Sequence, residues 1–249
     1  MKSYIIFLIS IIITSGFVSI ASADSSDSDD ANVKEEVVSK TPDGKALIKR
    51  VVSHPKENPA KLTNSRVSTK DTCTKYFARW SSTPVIYYLN PTNTKGLDWA
   101  VLIPTINTAS ETWDNAVNPL LVTLTDGAAT PYGVQDYRNS VVFGNNVDNT
   151  GVIAQTIIWY YSGVRGQPGR IVEFDITFEE NFDWGMDGNS SVMDVQNIGT
   201  HEFGHAFGLS DLYTSTCSQQ TMYGYSWVGD ITKRTLESGD IKGIRYLYP

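Results

Sequence analysis

Residues 200–211 read THEFGHAFGLSD and hold two of the three histidines in the chain, His201 and His205, four positions apart with Glu202 between them. On an α-helix this spacing puts both imidazoles on one face, one turn apart, where two ring nitrogens can meet one metal ion at about 2.0–2.1 Å each. Glu202 is offset by about 100° around the helix, within reach of a water on the ion without becoming a ligand. Gly208 comes three residues after His205 and can take the left-handed conformation that ends a helix and reverses the chain. Where H-E-x-x-H-x-x-G-x-x-H patterns return with a third histidine, this sequence has Asp211. No histidine follows His205, and a carboxylate binds zinc at about 2.0–2.2 Å, so Asp211 is the expected third ligand. Three protein ligands leave a fourth position for water. One catalytic zinc ion there would lower that water's pKa, with Glu202 as general base for attack on a carbonyl. A plain core reading of this helix face fails, because it would bury two histidines and a glutamate without evident partners.

A helix should begin near Asp194, a good N-cap residue, and carry the histidine pair. Upstream, PVIYYLN (84–90) alternates like a strand, and Ile106, Ala109, Trp113 and Val117 repeat at helical spacing over roughly 99–117. Pro104 predicts that this helix starts late or kinks there. Further strands are expected at 120–125, 140–144, 152–161 and 171–176, separated by Gly-, Asn- and Asp-rich turns. A last helix lies in TLESGDIKGIRYLYP. The order implies an α/β (α+β) domain: a mixed sheet with an active-site helix, closed by a C-terminal helix.

At 249 residues, with 13 Tyr and 6 Trp, the chain can bury a substantial core. Its net charge of −7 argues against nucleic acid as a partner, since a phosphate-binding surface needs a basic face. The opening residues give one positive charge at Lys2, an apolar run to about Ile20 and the small-x-small triplet Ala21-Ser22-Ala23, so residues 1–23 read as a signal peptide. An uncleaved N-terminal anchor is the alternative, and no other stretch approaches the roughly 18 apolar residues of a membrane span. The mature chain is then extracellular, without a membrane span, and monomeric by default. Residues 24–72 are polar and carry 9 basic and 9 acidic side chains, whereas 73–249 carry 10 and 18. The first segment reads as a disordered linker or short propeptide, and His54 within it as an exposed loop residue before Pro55. Residues 73–249 read as the folded catalytic domain. Export favours pairing the two cysteines, Cys73 and Cys217, into a disulfide. The rival reading makes Cys73 a free thiolate that plugs the metal.

The tail QQTMYGYSWVGDITKRTLESGDIKGIRYLYP, with Met222 eleven residues after Asp211, resembles the metzincin zinc metalloendopeptidases, and the matrixin branch most of all. GVIAQTIIWYY is similar to the matrixins' edge strand, and GRIVEFDITFEENFDW to the segment before their active-site helix, so the resemblance covers about 73–249. It implies a metzincin-type zincin fold, a Met-turn with Met222 as a hydrophobic floor beneath the zinc, and a protein or peptide as substrate. It also implies that the edge strand, including Ala154, would pair with an extended substrate. The wall of the primed-side pocket would fall at 223–234, with Tyr223 and Tyr225 as substrate-binding residues. The sequence departs from the matrixin pattern in three ways. The third ligand is an aspartate, as in snapalysin-like enzymes. No histidine between Cys73 and Thr200 can build the matrixins' structural zinc. No cysteine-switch motif occurs in 24–72. Gly224 stands where astacin-type enzymes have a tyrosine. Asp148, Asp175 and Glu180 lie in loops of the kind that bind calcium, but such residues are more often turn formers, and no calcium site is predicted. The function expected is a secreted zinc endopeptidase acting on extracellular proteins. The competing class is a non-catalytic extracellular module that keeps zinc as a clip.

Overall fold

The computed structural model describes residues 32–56, 73–125, 129, 131–164 and 166–249. The readings for residues 1–23, and for 24–31 and 57–72 within the next segment, therefore lie outside the described residues. Chain order is β1 (Val33–Lys40), β2 (Ala46–Pro55), β3 (Ala78–Arg79), β4 (Val85–Leu89), α1 (Trp99–Asp114), β5 (Val122–Thr125), β6 (Asn139–Gly144) and β7 (Val152–Tyr161). There follow β8 (Gly169–Glu179), β9 (Trp184–Gly185), β10 (Met193–Asp194), α2 (Val195–Ala206) and α3 (Ser238–Leu247). The main sheet runs β1-β2-β7-β8-β6-β4-β5, with β3 beside the start of β8. Strands β8, β6, β4 and β5 pair in parallel, whereas β8, β7, β2 and β1 pair antiparallel. This is the mixed α/β sheet the sequence implied.

Two sequence readings change. The helix at 99–117 begins at Trp99, capped by the Asp98 side chain, and runs through Pro104 to Asp114 without a late start. Leu102 and Ile106, on either side of the proline, are both fully buried, and their packing outweighs the one backbone hydrogen bond a proline removes. The second change is larger. Residues 33–40 and 46–55, read as part of a disordered linker or short propeptide, are not disordered but form two strands continuous with the main sheet. Composition misleads here because the face of β2 that turns Val52 into the main core also carries Arg50 and His54, while Leu47 packs on the opposite face. The strand thus lacks an apolar stripe that periodicity could reveal.

Helix α2 lies against α1, where Gly199 lets the backbone approach Ala109 and Ile106. Phe174, Phe178, Trp113, Phe203 and Phe207 fill the space between the sheet and this helix pair. On β8 the alternate residues Glu173, Asp175, Thr177 and Glu179 are fully buried, so one face of this strand is a polar ladder. Each carboxylate accepts backbone N–H groups from neighbouring loops: Glu173 from Asp136 and Tyr137, Asp175 from Gly133 and Ser140, Glu179 from Asn146 and Val147. The ladder therefore fastens loops. Asp148, Asp175 and Glu180 do not converge, and among the described residues the groups of three donor side chains lie at α2. Cys73 and Cys217 form a disulfide with Cα atoms 5.4 Å apart, so the free-thiolate reading of Cys73 does not hold. The bridge ties the start of the second described stretch to the turn after Asp211.

Candidate metal centre

Helix α2 starts where its sequence says it should. The Asp194 side chain accepts the Asn197 N–H at 2.9 Å and also holds Arg234. From this cap the helix carries His201 and His205 on one face, with Nε2 atoms 3.1 Å apart. It ends at Ala206, and two residues on, at Gly208, whose φ of +97° favours glycine, the chain turns back. A β-carbon at Gly208 would lie 1.9 Å from the Ala78 carbonyl oxygen, so backbone contact fixes the turn as well as φ. The return brings Asp211 Oδ1 to 3.1 Å from His201 Nε2 and 3.4 Å from His205 Nε2.

These three separations test the fit of a metal. Ligands about 2.0–2.1 Å from one zinc in tetrahedral array stand about 3.3 Å from each other, close to what is found here. The rest of each ring agrees. His201 Nδ1 is 2.7 Å from the Thr221 carbonyl and His205 Nδ1 is 3.0 Å from the Leu209 carbonyl, so each Nδ1 carries the proton and each Nε2 presents a lone pair. Asp211 Oδ2 accepts from the Tyr213 hydroxyl at 3.0 Å, while Oδ1 is buried without a hydrogen-bond donor. Two imidazole nitrogens and one carboxylate oxygen, aimed at one point, suit zinc. Burial, and Lys233 beside it, push His201 down to about 4, so that imidazole is neutral, whereas at His205 burial is outweighed by the Asp211 carboxylate, which raises the ring. Burial disfavours charge on Asp211, but His205 and His201 outweigh it and hold the carboxyl well below its usual range.

Met222 is buried directly beneath. Gly204 lies on α2 between the two histidines, and a β-carbon there would meet the Met222 sulfur at 2.2 Å. The turn that holds Met222 is fixed by α3, since Asp240 accepts the backbone N–H of Thr221 and of Met222. The Lys233 ammonium, also buried, donates to the carbonyls of Thr221 and Tyr223 and sits 3.4 Å from His201 Nδ1. Tyr223 is buried and Tyr225 half-buried, each against the other's ring, along the segment read as the primed-side wall. The ring of Tyr213 fills the space over Gly224.

Glu202 is fully buried. Its Oε2 accepts from the Thr156 hydroxyl at 2.5 Å and its Oε1 lies 3.2 Å from His54 Nδ1. Burial pushes Glu202 up to about 7, against the pull of His205 and Thr156. The reading of His54 as an exposed loop residue is wrong: it is 1% exposed, and its ring centroid lies 4.1 Å from that of His201. Burial, and then His201, hold it well below the usual histidine range, so it is neutral. Its other ring nitrogen, Nε2, is buried without a hydrogen-bond partner. Strand β7 is likewise not an edge in this chain. Strand β2 covers it from Leu47 opposite Tyr161 to Pro55 opposite Val152, and His54 faces Ala154. Sequence reasoning missed Thr156, Lys233, Asp240 and His54. None sits at a fixed offset from the histidine motif, and only chain pairing brings them to it.

A helix bearing two histidines, a glycine turn returning a third donor, and a methionine floor under a mixed sheet define a metzincin-type zinc domain. The matrixin family model matches residues 79–249, and the chain belongs to that family, whose members are zinc metalloendopeptidases. It is similar to the interstitial collagenase of Equus caballus, 30% identical over 178 residues, covering 68% of this chain and 33% of the relative. The hatching enzyme of Paracentrotus lividus is 36% identical over 74 residues, covering 30% of this chain and 12% of that protein. The chain thus spans about a third of the first relative's length and less of the second's.

Proposed function

We propose that this chain is a secreted zinc endopeptidase that hydrolyses peptide bonds of extracellular proteins, with zinc on His201, His205 and Asp211 and with Glu202 as the base. The observation that carries the reading is the convergence of three lone pairs within 3.1–3.4 Å, with the buried carboxylate of Glu202 alongside. Zinc bound there would supply a Lewis acid that acidifies a water and polarises the scissile carbonyl. Glu202 Oε1 would take the proton from the attacking water and deliver it to the leaving amine, while Thr156 holds Oε2 in place. Thr221 and Leu209 orient the two imidazoles through their carbonyls, and Met222 and Trp113 pack α2 from below. Secretion rests on the signal-like residues 1–23 and on the disulfide, which suits an oxidising compartment.

The competing reading, a non-catalytic zinc module, draws on His54, which forms a second donor group with His201 and Glu202 and so offers a further nitrogen near the histidine pair. Glu202 argues against it, since a structural site has no use for a base. The test compares zinc content and casein cleavage of the full chain with its Glu202→Ala variant. One zinc per chain in both, with cleavage by the glutamate form alone, is expected. Equal cleavage by both, or zinc in neither, overturns the reading. Silence of both at full zinc occupancy favours the module, unless His54→Ala restores cleavage.

A further inference from the structure

Strand β2 lies where a substrate would have to lie. Ser53 N–H donates outward to the Asn32 carbonyl, whereas Ser162 N–H donates to the Ala46 carbonyl and Lys56 N–H donates to Gly151. Even-numbered residues of this strand therefore turn their backbone groups to β7, and Arg50, Val52 and His54 occupy the positions where an extended peptide would pair. On its other side, Lys56 forms a parallel bridge with Ser226, in the segment read as the primed-side wall. Residues 54–56 thus thread between β7 and that wall, antiparallel to one and parallel to the other.

The strand is firmly seated. Val52 belongs to the main core, and Leu47 packs with Ile157 and Trp159. Arg50 pairs with Glu35 at 2.6 Å and stacks over Phe77, and Glu35 also accepts from the Tyr160 hydroxyl at 2.8 Å. At its end His54 meets Glu202 at 3.2 Å, so both oxygens of the proposed base are engaged, one by His54 and one by Thr156. The Nε2 of the same ring is buried without a hydrogen-bond partner. A water on Glu202 Oε1 would need the hydrogen-bonding position that His54 Nδ1 holds at 3.2 Å.

We propose that residues 46–56 are a tethered substrate mimic that holds the site shut, with His54 as the plug seated on Glu202. The sequence has no cysteine-switch motif in 24–72, and His54 would do that work through different chemistry. The proposal rests on the zinc endopeptidase reading, and its test separates the two.

The full chain is loaded with cobalt in wild type, His54→Ala and Arg50→Glu. The first variant removes the plug. The second sets two acids against each other at position 50 and Glu35 and loosens the strand without touching the site. Acetohydroxamic acid, a small metal-directed probe, is titrated against the visible cobalt absorption, and hydrolysis of a quenched fluorescent peptide is measured on the zinc forms. Both variants should bind the hydroxamate at least tenfold more tightly than wild type and show at least tenfold higher kcat/KM. Equal cobalt occupancy with hydroxamate affinity unchanged within twofold overturns the plug. A fall in kcat in His54→Ala with unchanged hydroxamate affinity also overturns it, and makes His54 a positioning residue for Glu202. Absence of cobalt binding in all three chains overturns the zinc reading, and the plug with it.

Discussion

Replacing Gly208 by alanine separates two reasons for a glycine at the return of the zinc motif. The residue has φ of +97°, and a left-handed backbone costs an L-residue about 1–2 kcal/mol. A β-carbon would in addition lie 1.9 Å from the Ala78 carbonyl oxygen, a distance that forces the two backbones apart. Two hydrogen bonds join them there, Phe77 N–H to the Gly208 carbonyl and Ser210 N–H to the Lys75 carbonyl, each 2.9 Å. At about 1 kcal/mol apiece their loss brings the expected cost to about 3–4 kcal/mol, which in a chain of this size lowers Tm by about 10 °C. Asp211 follows three residues later, so its carboxylate should move off the histidine pair and zinc affinity should fall tenfold or more. Gly44 is the control. It has φ of +83°, and a β-carbon there would meet nothing within 4 Å, so Gly44→Ala carries the strain alone, about 1–2 kcal/mol, with zinc binding intact. Urea unfolding with and without zinc, and zinc affinity by competition with a chromophoric chelator, read both quantities. Equal destabilisation in the two variants, with zinc affinity retained in Gly208→Ala, would refute the argument that the Ala78 contact fixes the third ligand.

Removing the disulfide as Cys73→Ala/Cys217→Ala frees a closure of 144 residues and should cost about 5 kcal/mol on the loop-entropy model; a drop below about 1 kcal/mol in urea melts would contradict it. Burial pushes Asp175 up to about 8 against the two backbone N–H groups it accepts, whereas the unfolded carboxyl titrates near its ordinary value of about 4. Between those values the folded state keeps a proton the unfolded state has lost, so this group makes stability fall as pH rises from about 4 to 8. Asp175→Asn should flatten that decline in urea melts at several pH values, with Glu173 and Glu179, also raised by burial, leaving some slope; an unchanged slope would refute the assignment.

Local chemistry made the centre legible in the sequence. His201, Glu202, His205, Gly208 and Asp211 lie within eleven consecutive residues, and helix periodicity plus one left-handed turn suffices to bring the three donors together. The cap at Asp194, the strand at 152–161 and the pairing of Cys73 with Cys217 follow from equally short-range or compositional rules. Contacts that depend on distant pairing stayed hidden. Strand β2 carries Arg50 and His54 on its buried face, and the Glu35 carboxylate, the Phe77 ring and Glu202 make their burial tolerable. Each of these three partners sits on a different segment of the chain from β2, so no pattern within the strand announces them. Lys233 and Asp240 find their partners, the backbone groups of Thr221, Met222 and Tyr223, only when the fold brings those segments together. The metal-binding chemistry could thus be read from one short run of residues, because local geometry spaces its donors. That Glu202 is engaged by His54 of strand β2 could be read only from the folded molecule, because that contact joins the two residues across 148 positions.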